Sequence, residues 1–473
     1  MNNLTLGSLF DGSGGFPLAG KLAGIQPIWS AEIEPFPIRV TTKRMPEIKH
    51  YGNVAELDGG ELEPVDIITF GSPCQDLSVA GKRNGLDGAK SSLFYEAIRI
   101  IKEMRCATGG SKPRFIVWEN VSGAFSSNGG EDFRSVLESV CSIKEERVAI
   151  PKPEKWNGAG TILAESFSVA WRTLDAQFWG VPQRRKRVFL VADFDSHCAP
   201  PILFESDGLS KYSQKVFRAW QKSTKGFGTG TDQSSELKVF ENHTQDARYT
   251  GPLKVLPTCS ASYGTGGNNQ PFVVHNTGVD IKLPRQHKYH SGCYVTETET
   301  CRTIDTHVNG LSSEQGGTAV VSVPLSFGSS KADRFTKWDQ EQIGSLAATD
   351  YKDGPMVYES EKSFVRRLTP TECARLQGFP DWWCSDLETE NPTESDLAFW
   401  RKVFTDYAKV YGKKARTDNQ IKKFLANPHT DSAEYKTWGN GVALPCVWFV
   451  LAGIKFYAES VHESVLNKYL ESV

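Results

Sequence analysis

The sequence predicts an α/β fold: a parallel sheet with helices on both faces, joined to a smaller, irregular β-rich domain. Three observations carry this. Short apolar runs alternate with helix-like segments up to Cys198. Each early run ends in unusual polar or glycine-bearing residues. After Cys198 the chain turns rich in Gly, Ser, Thr and Asn. Its 473 residues are enough for two or three domains of ordinary size.

Leu4 to Phe10 is the first apolar run and ends in Asp11-Gly12-Ser13-Gly14-Gly15. Ile28 to Ile33 is the second and ends among acidic residues. Val65 to Phe70 is the third and leads into Gly71-Ser72-Pro73-Cys74-Gln75. Phe115 to Trp118 is the fourth, followed by Glu119-Asn120-Val121, and Arg187 to Ala192 is the fifth. Between them, Leu93 to Met104 and Phe133 to Ile143 carry apolar residues at helical spacing. Strands this apolar are buried on both faces. Ligands of such sheets bind outside the carboxyl ends of the strands, where all the unusual residues fall.

Residues 200–360 hold short β-type runs and a weak internal repeat. Leu256–Val274, Cys301–Val321 and, more briefly, Ser345–Tyr358 each pass from a small or β-type run through a glycine-bearing turn to valine. At a period of about 45 residues they read as hairpin-like units. A helical pattern returns at Thr369 to Gln377. There Thr369-Pro370 and Glu372 resemble a helix start, and Leu368, Leu376 and Phe379 are core candidates. Asp396 to Ala426 alternates in charge, as a solvated helical insertion does. An apolar helix closes the chain after Gly439-Asn440-Gly441. The expected division is 1–198, 199–362 and 363–473, with the insertion at about 388–430.

The 54 basic and 56 acidic residues give a net charge of −2, which argues against a polybasic binder but leaves local basic surfaces open. No apolar run is long enough for a membrane helix; Val442 to Phe456 is too short and contains Pro445. The start of the chain lacks the pattern of a signal peptide. A cytoplasmic protein with no membrane partner is expected. The ten cysteines include no CxxC pair and read as reduced thiols. The nearest approach to a metal cluster is His287, His290 and Cys293, with Cys301 or Cys259 nearby. No second pair has ligand spacing, so these read as loop residues and no metal is expected.

Three motifs carry chemistry. A glycine turn after a strand lets the backbone approach a ligand closely. Counting from Gly12, the dinucleotide pattern G-x-G-x-x-G needs glycine where Pro17 stands, so NAD is disfavoured. Glu32, at the end of the next strand, can accept both hydroxyls of a ribose. A nucleoside cofactor without a pyrophosphate fits better, and S-adenosylmethionine is the obvious one. Cys74 sits at a strand end, where a thiolate can be stabilised. Glu119 projects from the next strand at the same sheet edge, and a cysteine nucleophile beside a carboxylic acid is a covalent-catalysis pair. Finally, Gln183-Arg184-Arg185-Lys186-Arg187 leads into a strand. Alternation then sets Arg185 and Arg187 on one face, suited to phosphate or base contacts.

Read together, LFDGSGGF, AEIEPF, GSPCQDLSVAGKR, WENV, LDAQFWGVPQRRKRVF, RRLTPTECARLQGFP and WGNGV resemble, in order, the motifs of the DNA (cytosine-5)-methyltransferases of bacterial and phage type. The resemblance runs from about Leu9 to Val442 and implies a Rossmann-like fold that uses S-adenosylmethionine. It implies a target-recognition domain in the compositionally distinct stretch between QRRKR and RRLTP, supported by the RRLTP helix. Cys74 would attack C6 of a cytosine flipped out of double-stranded DNA. Glu119 would hold N3 and the exocyclic amine, and Arg187 and Arg185 would brace the base and its phosphate. Ser78 to Gly88 matches a mobile catalytic loop whose Lys82 and Arg83 contact DNA together with Gln183 and Arg184. Phe10, Asp11, Gly12, Gly14, Gly15, Glu32, Ile33, Pro73, Leu93, Asn440 and Val442 would surround the cofactor. Asn53 stands where aspartate commonly reads the adenine amine, and its carbonyl can still accept that bond.

An RNA methyltransferase of the related tRNA-modifying branch is the second reading; the long stretch between Arg187 and Arg366 favours DNA. A non-enzymatic DNA-binding regulator is the third, and Cys74, Glu119 and the glycine turn argue against it. The resemblance also suggests a monomer and a cognate restriction endonuclease as companion.

Overall fold

The structure is a computed structural model that describes residues 4–72, 92–204, 237–242, 249–251, 253–261, 263, 271–276, 325–330, 334–337, 356–358 and 363–470. The first part runs β1 (Thr5–Leu9), α1 (Gly15–Leu22), β2 (Gln26–Ala31), α2 (Pro35–Arg44), β3 (Lys49–Tyr51), β4 (Ile67–Phe70), α3 (Ser92–Ala107), β5 (Phe115–Val121), α4 (Glu131–Cys141), β6 (Ala159–Leu163), β7 (Ser168–Asp175), β8 (Lys186–Asp193) and α5 (Ala199–Phe204). These strands form one eight-stranded sheet in the order β3-β2-β1-β4-β5-β8-β7-β6.

Strands β1 to β5 are parallel, as expected. The other end corrects the expectation: β8 is antiparallel to both β5 and β7, and β6 is antiparallel to β7, so the sheet is mixed. The reason is length. The links from β6 to β7 and from β7 to β8 are too short for the crossover that a parallel pair requires.

Helices cover both faces. Along β5, Phe115 and Val117 join the core under α1, α2 and α5, while Ile116 and Trp118 join the core under α3 and α4. β8 repeats the alternation, with Phe189 and Val191 on the first side and Val188, Leu190 and Ala192 on the second. Ala199, Ile202 and Leu203 of α5 are buried in the first core, so the described chain leaves the catalytic sheet after α5 and not at Cys198.

The next segments are β-rich, as expected. β9 (Leu237–Asn242), β10 (Tyr249–Thr250), β11 (Phe272–Asn276), β12 (Leu325–Ser330), β13 (Arg334–Lys337), β14 (Met356–Tyr358) and β15 (Ser363–Arg367) form a four-stranded sheet, β10-β9-β11-β15, and a three-stranded one, β13-β12-β14. The first repeat copy is no self-contained hairpin: β11 pairs with β9 and β15, which both lie outside that copy. The second copy, Cys301–Val321, lies outside the described residues.

The chain returns through α6 (Pro370–Leu376), α7 (Glu394–Tyr411), α8 (Asp418–Ala426), α9 (Asp431–Asn440) and α10 (Leu444–Leu470). α6 starts as expected: Thr369 and Glu372 form a reciprocal capping box with Pro370 in the first turn. Leu368, Leu376 and Phe379 are buried. The helical insertion is amphipathic and not merely solvated. Leu397, Trp400 and Phe404 of α7 and Ile421 and Leu425 of α8 bury a small core of their own against Ile38. Among the described residues no single helix is long and apolar enough to cross a membrane, though one bent pair, α9 with Leu444–Ala458, passes by length and composition.

Candidate active site

The strand order changes direction between β1 and β4: the chain steps outward from β1 to β2 and β3, and the other way from β4 to β5. A crevice forms outside the strand ends at such a point. β1 brings the Phe10–Gly15 turn to it, β2 brings Glu32, and β5 brings Glu119.

The turn takes backbone that only a glycine-rich sequence tolerates. Phe10, Gly12 and Gly14 have φ of 56°, 54° and 79°. At Gly14 a Cβ would lie 2.7 Å from Thr41 Cγ2, and at Gly15 one would lie 2.4 Å from Val442 Cγ2. Val442 thus packs on the turn, which joins two motifs far apart in the chain. Trp383 secures the turn from outside, donating its indole N–H to Ser13 O at 2.8 Å.

Glu32 is fixed at the turn. The Gly12 N–H donates to its Oε2 at 2.6 Å, and Ile33 and Glu34 N–H donate to its Oε1 at 2.7 and 2.8 Å. Burial pushes its pKa up, against the pull of those three donors. Asp11 is buried beside it. Ser8 Oγ donates to Asp11 Oδ1 at 2.8 Å, while Asp11 Oδ2 and Ser13 Oγ are buried without a hydrogen-bond partner. Burial, with a smaller push from Glu32, raises the Asp11 pKa to about 8 despite the Ser8 bond. Asp11 is therefore largely a neutral acid at pH 7.

The remaining expected cofactor residues are less uniform. Ile33 lines a cleft next to Glu32. Asn53 caps the turn Val54–Glu56, its Oδ1 accepting from Ala55 N–H at 3.1 Å, so part of its carbonyl capacity is already used. Leu93 packs, half-buried, against the core under α3. Asn440 is exposed at the end of α9.

At the other side of the crevice stand Glu119 and Arg187. Glu119 pairs across the ladder with Phe189, two residues from Arg187, so Glu119 and Arg187 are diagonal neighbours on one face. Arg187 Nε lies 3.2 Å from Glu119 Oε1. Burial raises the Glu119 pKa, while Arg187 and, less, Arg185 pull it down.

Two expectations need correction here. Arg185 was expected at the base and its phosphate; it is buried and donates to the carbonyls of Gly439 and Gly441. It precedes the strand, where alternation no longer governs its direction. Gln183 was expected at DNA; it is fully buried and donates Nε2 to Cys259 Sγ at 3.0 Å. Its neighbours Pro182 and Arg184 exchange backbone hydrogen bonds with Leu256, so the run is an internal seam with the β-rich region. Arg184 alone keeps an exposed guanidinium in this stretch, 3.9 Å from Glu241.

Pro73, Cys74, Lys82, Arg83 and the Ser78–Gly88 loop lie outside the described residues, as do the Gly264–Gln270 turn, His287, His290, Cys293 and Cys301. Among the described residues no group of three or more His, Cys, Asp or Glu is placed to hold a metal. Sequence reasoning missed Ser13, Trp383 and His50. The Trp382-Trp383 pair after the RRLTP motif was the available signal for Trp383, and the glycine turn itself for Ser13; nothing local marked His50.

A glycine turn held to Glu32 and an ion pair of Glu119 with Arg187 thus stand at the ends of strands in one sheet. The chain matches the C-5 cytosine-specific DNA methylase family over residues 4–144 and 161–395, and it belongs to that family. It is 27% identical over 484 aligned positions to a protein of Escherichia phage P1 named DNA N-6-adenine-methyltransferase, covering 95% of this chain and 61% of that one. The chain therefore spans about three-fifths of that relative. It is 25% identical to the orphan methyltransferase M.SPRI of Bacillus phage SPR, covering 80% of this chain and 90% of that one. Among solved structures, the S. pombe Dnmt2 methyltransferase matches 95% of this chain and 98% of its own at 14% identity and a TM-score of 0.44.

Proposed function

We propose that the chain is a DNA (cytosine-5)-methyltransferase that uses S-adenosylmethionine and acts, as a monomer, on a cytosine flipped out of double-stranded DNA. The observation that carries this is the buried Glu119–Arg187 pair, 3.2 Å apart, at the same strand ends as the Glu32-bound glycine turn. The residues fit the cofactor. The Glu32 carboxylate is oriented at the turn by three N–H donors and keeps an acceptor site on Oε2 for a ribose hydroxyl, and Asp11 Oδ2 and Ser13 Oγ are buried polar atoms that lack partners beside it. When bound, that cofactor supplies an electrophilic methyl group on a sulfonium.

The chain's own residues supply the rest. Cytosine C5 is a poor nucleophile until a bond forms at C6. Cys74 is the residue placed by sequence to form it, pushing an electron pair onto C5. Glu119, whose pKa burial pushes up, donates a proton to N3 as that charge builds. Arg187 keeps Glu119 oriented and offsets its charge once the proton has left. Once C5 has taken the methyl group, its proton passes to a base or water, the C6–S bond to Cys74 breaks, and N3 returns its proton to Glu119. The β-rich region between β8 and α6 is the target-recognition domain, and a cognate restriction endonuclease is the partner to test for.

The name of the phage P1 relative favours one other reading, methylation of an adenine amine. That nitrogen needs no covalent activation, so the role of Cys74 separates the two. Incubating the chain with methyl-labelled cofactor and, in parallel reactions, duplex DNA or tRNA, then hydrolysing the nucleic acid to nucleosides, decides between them. Label in 5-methylcytosine that vanishes with Cys74→Ser is expected. Label in N6-methyladenine, or in tRNA alone, would overturn the proposal.

A further inference from the structure

The cleft next to Glu32 has a wall that the matched family segment does not provide. Glu32, Ile33 and His50 form its inner side. Phe399, Val403 and the Lys402–Asp406 pair, all on α7, form the other side. The family match ends at residue 395, at the first turn of α7, so this wall lies beyond the matched span.

The insertion is built to stay there. Trp400 and Phe404 pack on Ile38 of α2. Tyr411 Oη donates to Glu34 Oε1 at 2.8 Å, and Lys409 Nζ lies 2.5 Å from Glu56 Oε1. Both carboxylates flank segments read above as cofactor-binding: Glu34 follows Glu32 and Ile33, and Glu56 ends the turn that Asn53 caps. The approach is close, since a Cβ on Gly52 would lie 2.7 Å from Asp406 Oδ2.

Inside the cleft one polar atom lacks a partner. His50 Nδ1 is 3.2 Å from Ser30 Oγ, but its Nε2 is buried and makes no hydrogen bond. A buried polar nitrogen left unpaired is costly, and a ligand atom there would remove the cost. Asn53 meanwhile commits part of its carbonyl capacity to a cap, so a second polar contact would add to what it offers the nucleoside. An apolar side chain at Phe399, another at Val403, and polar groups at either end suit a flat heteroaromatic ring next to a ribose.

We propose that α7 forms the outer wall of the nucleoside end of the cofactor pocket, with Phe399 and Val403 packing on the purine and His50 Nε2 and the Lys402–Asp406 pair supplying polar contacts. This rests on Glu32 as the ribose holder. The insertion thereby sets cofactor affinity independently of DNA.

The test is calorimetric titration of the full chain, without DNA, with S-adenosylhomocysteine, which keeps the whole nucleoside and transfers nothing. Phe399→Ala and Asp406→Ala each raise Kd by about tenfold, and His50→Phe by a similar factor. Lys402→Ala, on a side chain that is 70% exposed and outside the packed core, raises it at least about threefold and keeps the test decisive if Phe399→Ala does not fold. Arg401→Ala, on a residue that pairs with Glu394 and Asp418 instead, leaves Kd unchanged. Wild-type binding with all four cleft variants within about twofold of it would overturn the wall while sparing the cofactor reading. No binding by the wild type would overturn the cofactor reading first, and the wall with it.

Discussion

Glu32 and Glu119 are both buried carboxylates at the ends of sheet strands, and burial pushes both of their pKa values up. Their partners differ. Glu32 accepts three backbone N–H bonds and is locked in one orientation. Glu119 faces Arg187, and its Oε1 makes no hydrogen bond. Backbone donors hold a carboxylate in place and favour its charge. Arg187 also favours the charge of Glu119, but it leaves Oε1 without a hydrogen bond. In the proposed reaction one strand end positions and the other exchanges a proton. The difference lies in what surrounds each residue, since both are glutamates.

Exchanging the chemistry at each end sharpens the contrast. Glu119→Gln keeps shape but removes the exchangeable proton, so kcat should fall by about 10²–10⁴-fold while binding of S-adenosylhomocysteine stays intact. Single-turnover methylation with calorimetry reads both. Glu32→Gln should do the reverse. Losing charge-assisted bonds of about 1.5–3 kcal/mol weakens the cofactor roughly tenfold to a hundredfold, with kcat at saturation largely kept. If Glu32→Gln instead lowered kcat with Kd unmoved, the division of labour would be wrong.

Smaller effects test what frames the two ends. Arg185→Met strips the donors from the Gly439 and Gly441 carbonyls, and should cost about 1–3 kcal/mol in urea unfolding. A direct phosphate contact would instead show as weaker DNA binding at unchanged stability. Asp11 gives a signal that depends on pH. The folded chain keeps its proton up to about pH 8, against 3.8 for an ordinary aspartate. The folded state thus binds more protons in that window, and its stability falls as pH rises through it, levelling above about 8. Asp11→Asn removes this slope. The urea midpoint of the wild type should drop relative to the variant between about pH 5 and pH 8, and parallel profiles would contradict the burial of Asp11.

Much of the reacting end was legible in the sequence. Strand runs ending in glycine, glutamate or an ENV tripeptide located β1, β2, β4 and β5 because buried parallel strands are almost wholly apolar. Glu32, Gly12 and Glu119 follow directly from where those strands stop. The antiparallel end was not legible. β7 carries Trp171, Arg172 and Thr173 in a pattern that belongs to no clear period, and only the shortness of its links sets its direction. Arg185 and Gln183 were misplaced for a related reason. Alternation predicts a face inside a strand, but both residues precede β8, where tertiary contacts with Gly439 and Cys259 decide. The α7 wall was invisible because charge alternation marks an exposed face without saying what the opposite face covers.

In the proposed reaction Cys74 activates cytosine covalently and Glu119 is the proton donor. A duplex carrying 5-fluorocytosine at the target position tests it most directly, because fluorine at C5 cannot leave as a proton does and the enzyme should stay bonded to C6. With methyl donor present, denaturing electrophoresis and mass spectrometry should show a chain–DNA adduct mapped to Cys74. It should be absent from Cys74→Ser and slow to form with Glu119→Gln. A wild-type chain that methylates the unfluorinated duplex but forms no adduct, or an adduct that survives Cys74→Ser, would contradict it.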